Sequence, residues 1–348
     1  MTVQENVSLR PFNTFGVEAR ARYFAVIQHA DDLRRLMDHS VWQQQRLVLG
    51  GGSNILFAGD FHGLVLHNRL SGFEQLATDE EAVVLRIASG ENWHQTVLRC
   101  VASAWCGLEN LALIPGSVGA APIQNIGAYG AEFQDCCRTV AFIRLDNGLP
   151  EELSVDQCRF AYRDSVFKHE LSHIAFITSV TVRLHRRFTP NLRYAALQQY
   201  LQAQQISRPT LRQVADAVIA IRRSKLPDPD VLGNAGSFFR NPVLDAETAQ
   251  RLQQLYPQAP VFARDGAFKV PAAWLIEQCG WKGKRYGQAG VYEHQPLVLV
   301  NHGQASGGEL LTLARQIRES VYQQFGIRLE PEVNIVGNGQ PWPELKEK

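Results

Sequence analysis

The chain has 348 residues, of which 45% are hydrophobic and 20% charged, a length that favours two or three domains and a composition ordinary for a soluble globular protein. Lys plus Arg number 35 against 34 Asp plus Glu, leaving a formal charge of +1 with no clustered basic stripe, which argues against a nucleic-acid partner. No run approaches the roughly 18 consecutive apolar residues of a membrane span. The opening "MTVQENVSLRPFNTF" has no basic stretch followed by an apolar one, so a cytoplasmic enzyme without a membrane partner is expected.

In chain order, "RLVLG" and "GLVLHN" read as strands on either side of a Gly-rich turn, and "AVVLRIASG" as a third. Trp93 to Ala104 carries helical spacing. "TVAFIRL" and "IAFITSVTVRLH" are strands rich in β-branched and aromatic residues. Leu211, Val214, Ala215, Val218 and Ile219 line one face of a helix that must end near "KLPDPD", where two prolines block continuation. This joint, at 225–230, is the best internal boundary. Beyond it come a helix near 245–254, a strand "PLVLV", and a helix over 308–325 with Leu310, Leu313, Ile317 and Val321 on one face and Gly326 as its C-cap. A terminal strand, "RLEPEVNIVG", follows. Strands and helices interleave throughout, which predicts an α+β fold. Cys100, Cys106, Cys136, Cys137, Cys158 and Cys279 form no C-x-x-C pair and read as reduced, mostly buried thiols.

"HELSH" places His169, Glu170 and His173 at the H-E-x-x-H spacing of zinc hydrolases, which need both imidazoles on one helix face and a third ligand. A strand-like run follows His173 at once, no helical stripe precedes it, and no third-ligand spacing is present. The zinc reading loses, and no metal is expected.

Two small-residue loops carry more. "GGGSN" sets Gly50, Gly51, Gly52, Ser53 and Asn54 between strands, where glycines let backbone N–H groups converge on an anion. Ile55 stands where a Rossmann fingerprint needs its last glycine, and no helix opens there. On its own a tight hairpin turn serves equally well. The second loop, "IPGSVGAAPIQNIGAYG", spans 114–130 without evident structure, and loops of that length are usually functional. Together the two loops suit an extended cofactor carrying a pyrophosphate.

These loops, with "NTFGV", "YRDSVFK", "KLPDP", "GNAGSFFRNP" and "LEPEV", strongly resemble the UDP-N-acetylenolpyruvoylglucosamine reductase (UDP-N-acetylmuramate dehydrogenase) family, over nearly the whole chain. The resemblance implies a vanillyl-alcohol-oxidase/PCMH-type FAD-binding fold of two subdomains, 1–70 and 71–224 with the PCMH-type region at about 16–187. An α+β substrate-binding domain at 225–329 and a C-terminal strand and tail at 330–348 complete it. It also implies a cytoplasmic enzyme of peptidoglycan synthesis that uses FAD and NADPH on a UDP-sugar enolpyruvyl ether; a monomer is expected, though no motif decides the oligomeric state. Gly50, Gly51, Gly52, Ser53 and Asn54 would hold the FAD pyrophosphate. Gly116, Ser117, Gly119, Ala120, Ile123 and Gly127 would run along the cofactor, and Arg222 would reach the flavin. Tyr194, in "LRYAAL", looks like the tyrosine loop of the longer subtype. Tyr194, Lys225, Asn241 and, more weakly, Gln295 would bind substrate. Where the family pattern "EPEVRF" has Arg this chain has Asn334, and no flavin contact is carried over there.

The reaction implied delivers hydride to the terminal methylene of the enol ether and a proton to the adjacent carbon. Negative charge spreads onto the carboxylate in between, so cationic or proton-sharing groups and one proton donor are needed. By the resemblance, Arg163 clamps the carboxylate with its planar fork, Glu332 approaches it protonated or through water, and Ser237 gives the proton. Serine is a weak acid and needs a polarising neighbour, Lys225 or a bound water. From the residues alone, Arg163 reads as one half of a salt bridge and Ser237 as a turn or cap serine. The remaining alternative is a flavin-binding module without catalysis, and the joint presence of Ser237 and Arg163 counts against it.

Overall fold

The runs rich in β-branched and aromatic residues form the sheets. The computed structural model describes residues 2–264 and 266–337. Two compact units emerge: one comprises the residues up to Val7, Arg22–Gly51 and His62–Ser224, the other Ser8–Ala21, Gly52–Phe61 and the described residues from Lys225 onward.

In the first unit a five-stranded antiparallel sheet runs in the order Pro150–Ser154, Cys137–Arg144, Ala175–His185, Ala82–Ala88, Phe73–Thr78. Alternation decides its buried face: Val83, Leu85 and Ile87 are fully buried, at the period of two that a strand imposes. Helix Trp93–Ala102 is capped by Asn92, whose side chain accepts the Gln95 N–H at 2.9 Å. It turns Trp93, Val97, Cys100 and Val101 into the same core, and helix Leu211–Lys225 adds Val214, Ala215, Val218 and Ile221. Each large side chain so buried stabilises the unit by about 1.5–3 kcal/mol.

A second sheet orders Val3–Ser8, Arg20–Ile27, Phe61–Asn68 and Arg46–Leu49, and its last two strands run parallel. A parallel pair cannot be joined by a tight turn. Gly50–Asn54 is therefore no hairpin: it leads into strand Ile55–Phe57, which pairs in parallel with Asn334–Val336.

The second unit carries an antiparallel sheet in the order Gly233–Ser237, Val298–Asn301, Ala289–Val291, Arg285–Tyr286. Helix Gly307–Phe325 opens on a capping box of Ser306 with Glu309, buries Leu310, Leu313, Ile317 and Val321, and ends at Gly326, whose φ is +69°. A Cβ on Gly307 would fall 1.7 Å from the Phe57 carbonyl oxygen, so only glycine lets this helix start against that strand. The expected terminal strand is shorter than "RLEPEVNIVG": only Asn334–Val336 is strand. Pro331, which has no N–H for a ladder, makes an isolated bridge to Phe239 instead. Glu330, beside this bridge, is engaged by Arg318 at 3.2 Å. No helix among the described residues is long and apolar enough to cross a membrane.

Candidate active site

The two glycine loops meet backbone to backbone within the first unit. A Cβ on Gly51 would lie 2.9 Å from Gly116 Cα, and one on Gly50 would lie 2.4 Å from Ser117 Oγ. Gly119 is as confined, with Ser89 Cβ 2.6 Å from where its own Cβ would be. Among the described residues, the N–H groups of Gly51, Gly52 and Ser53 donate to no backbone oxygen. Glycines that admit close approach, with N–H groups left over, are the chemistry a pyrophosphate requires. These residues fit the diphosphate of FAD. Ala120 ends a short 3-10 turn, Val118–Ala120, and Ile123 is 39% exposed.

The 114–130 loop is more ordered than a structureless span. Gly127–Ala128 pairs with Ala131–Glu132 in a miniature hairpin whose two turn residues, Tyr129 and Gly130, have φ of +50° and +83°. This is the primed-turn conformation that matches strand twist. Asn125, 1% exposed, organises the surroundings. Its Nδ2 donates to Glu132 Oε2 at 2.9 Å and to Ala161 O at 3.1 Å, and its Oδ1 accepts the Gln134 N–H at 3.0 Å. Ala161 begins the tight turn that bears Arg163 at φ +56°, and Lys168 Nζ donates to Arg163 O at 2.9 Å. Ser165 Oγ donates to Ile123 O at 2.7 Å, tying "YRDS" to the loop.

Charge and aromatic groups gather here. Arg163 Nη1 lies 3.6 Å from where a Gly127 Cβ would be. Burial holds the Arg222 guanidinium below its usual range; Tyr129 opposes that shift and the Arg163 charge adds to it. Arg222 Nε donates to Leu113 O at 3.1 Å, and the Leu113 N–H donates to His94 Nδ1 at 3.0 Å. Leu113 has a φ of +58°, and both of its peptide groups' bonds hold that strained conformation. Tyr194, 45% exposed, sets its ring edge-on to Tyr129 with centroids 5.1 Å apart. Arg163, Arg222, Gly127 and Tyr194 are thus brought together, with Tyr129 at their centre.

In the second unit, Ser237 ends a strand that shifts register between Asn234 and Ser237, with Gly236 at φ +68° and open space beside it. Asn234 fixes this bend: its Oδ1 accepts the Gly236 N–H at 3.0 Å, and its Nδ2 donates to Leu232 O at 2.8 Å. The Phe238 N–H donates to Leu297 O at 2.8 Å and the Glu332 N–H to Phe238 O at 2.7 Å, so the residue after Ser237 is tied to the segment that follows Gln295 and to Glu332. Gln295 Oε1 accepts the Leu297 N–H at 3.4 Å. Asn54 serves this unit, its Nδ2 donating to Glu332 O at 3.3 Å, while Asn334 Nδ2 donates to Asn54 O at 3.1 Å. Gly52, at φ +64°, packs so closely on Phe12 O that a Cβ there would sit 2.0 Å away. Asn241 Oδ1 accepts the Ala272 N–H at 2.9 Å at a helix start, and Lys225 is an exposed helix terminus.

"HELSH" is not helical. A 3-10 turn, Val166–Lys168, precedes it and His173 has φ +62°. His169 Nε2 lies 2.8 Å from Asp164 Oδ1, and Glu170 pairs with Arg159. Among the described residues, no group of three His, Cys, Asp or Glu side chains is placed to hold a metal. Tyr129, Asn125, Ser165 and His94 were not singled out from the sequence. Only the glycines flanking Tyr129 signalled that its position was special.

Residues 21–154 match the FAD binding domain family, and residues 228–336 match the C-terminal domain of UDP-N-acetylenolpyruvoylglucosamine reductase. The UDP-N-acetylenolpyruvoylglucosamine reductase of Chromobacterium violaceum is 50% identical over 97% of this chain and 100% of its own length. The chain belongs to the UDP-N-acetylenolpyruvoylglucosamine reductase family. The Pseudomonas putida reductase of the same name is 44% identical over 96% of this chain and 100% of its own. The crystal structure of the reductase from Thermus caldophilus, 24% identical, covers 96% of this chain and 99% of its own with a TM-score of 0.66, so the fold is shared. The chain is an FAD-dependent oxidoreductase of α+β architecture.

Proposed function

We propose how the residues divide the work in the family's reaction, the NADPH-dependent reduction of UDP-N-acetyl-3-O-(1-carboxyvinyl)-glucosamine to UDP-N-acetylmuramate in peptidoglycan precursor synthesis. The observation that carries the reading is the contact of Gly50 and Gly51 with Gly116 and Ser117. It makes a cradle for a pyrophosphate in a chain whose relatives carry the reductase name. When bound, FAD supplies hydride transfer from NADPH to the terminal methylene of the substrate. Segments 1–70 and 71–224 would serve the cofactor and 225–329 the substrate, in a cytoplasmic monomer.

Burial is the main cause that lowers the Arg222 guanidinium, and the Arg163 charge adds to it in the same direction. An anion offsets the cost of burying such a cation, which suits these arginines to a carboxylate and an electron-rich ring. Arg163 takes the substrate carboxylate in its fork, where enolate charge develops. Glu332 shares a proton with the same carboxylate, directly or through water. Ser237 Oγ gives its proton to the carbon adjacent to the carboxylate and is reprotonated through Lys225 or water. Tyr194, Lys225, Asn241 and Gln295 bind the UDP-sugar. The purified protein should be yellow, release FAD on denaturation, and under anaerobic conditions turn over NADPH beyond one equivalent only when the UDP-enolpyruvyl sugar is present. A colourless protein that FAD does not reconstitute would refute the reading.

A further inference from the structure

The Tyr129–Gly130 turn holds a bulky residue at positive φ, where Asn, Asp or Gly is the usual choice. Two asparagines secure it. Asn110 Nδ2 donates to Tyr129 O at 2.8 Å, and Asn191 Nδ2 donates to Gly130 O at 2.8 Å, so both turn carbonyls are held by side chains. Asn110 Nδ2 also donates to Asn191 O at 2.9 Å, joining the hairpin tip to the segment that leads into Tyr194. Asn191 Oδ1 accepts the Arg193 N–H at 3.3 Å, which bends the chain toward Tyr194. Asn110 is 2% exposed, and its Oδ1 is buried without a hydrogen-bond partner. A buried, unsatisfied acceptor is unfavourable, so the residue's value at this position lies in its two N–H bonds.

We propose that Asn110 and Asn191 form a clasp that anchors the tyrosine segment so that Tyr194 is set against Tyr129 and meets the UDP-sugar. The inference rests on the reading of Tyr194 as a substrate-binding residue. The clasp anchors the root of the tyrosine segment at Asn191, and the edge-on contact of the two rings orients its tip. Neither asparagine touches a reacting atom; both are positioning residues.

The test compares Asn110→Ala, Asn191→Ala, Tyr194→Ala and the Asn110→Ala/Tyr194→Ala double variant as FAD-loaded proteins. Asn110→Ala should raise KM for the UDP-enolpyruvyl sugar about tenfold, with flavin reduction at saturating NADPH within about twofold of the parent. In the Tyr194→Ala background the same substitution should add nothing, because its effect runs through that ring. Asn191→Ala, at a half-buried site, should repeat the pattern and serves if Asn110→Ala fails to fold. A KM raised by Tyr194→Ala but untouched by both asparagine variants would overturn the clasp alone. An asparagine effect undiminished in the double variant would overturn it too. Tyr194→Ala with an unchanged KM would overturn the reading of Tyr194, and the clasp's purpose with it.

Discussion

The backbone N–H of Glu332 donates to the carbonyl oxygen of Phe238 at 2.7 Å, which holds Glu332 beside the residue that follows Ser237. Phe238 is fully buried and Asn54 Nδ2 grips Glu332 O, so this relation is fixed on both sides. A carboxyl beside the substrate carboxylate helps only when it shares a proton. Glu332→Gln, neutral and still able to hydrogen-bond, should therefore keep more of the oxidative half-reaction than Glu332→Ala. Stopped-flow reoxidation of the reduced flavin by substrate measures both.

Gly51→Ala should weaken FAD binding by at least about tenfold, or 1.4 kcal/mol, because its Cβ would meet Gly116 Cα at 2.9 Å and backbone cannot rotate away. Gly308→Ala, whose added methyl meets nothing nearer than 3.9 Å, should leave FAD affinity unchanged. Fluorescence titration of the apo-protein with FAD reports both.

Asn125→Ala should cost about 2–4 kcal/mol, since three hydrogen bonds go and buried groups are left without partners. The Ala161 anchor goes with them, so KM for the enolpyruvyl substrate should rise as the Arg163 turn loosens. Urea denaturation and steady-state kinetics on the same preparation check the two effects.

Periodicity made the strands and long helices legible, because Val83, Leu85 and Ile87, or Leu310, Leu313 and Ile317, state their buried face locally. The glycine loops were legible for a related reason: clustered glycines have few uses other than turns and close approach. Asn125, Asn110 and Asn191 were not, since the longest bonds they make span 36, 81 and 61 residues and a lone asparagine reads as a surface residue. Nor does any local pattern announce that Ser8–Ala21 and Gly52–Phe61 pack with residues beyond 225. The terminal strand was read too long because alternation continued through Pro331, where the missing N–H breaks the ladder.

Acid should erode stability through His67. Burial, with the Arg69 charge second, lowers its pKa from 6.5 to about 4. The unfolded chain therefore binds the proton first. The stabilising difference is full above pH 6.5 and is lost as pH falls from there to about 4. His67→Gln should flatten the fall in urea midpoint across that window, and an unchanged slope would assign the acid limb to other groups.

Anaerobic stopped-flow absorbance of the bound flavin tests the central claim most directly, comparing the parent chain with Ser237→Ala. In the parent, NADPH should bleach the flavin and the UDP-enolpyruvyl sugar should restore its colour. In Ser237→Ala, bleaching should proceed at the parent rate, while recolouring slows about a hundredfold or more. A parent flavin that NADPH does not bleach, or a variant that recolours as fast as the parent, would contradict the account.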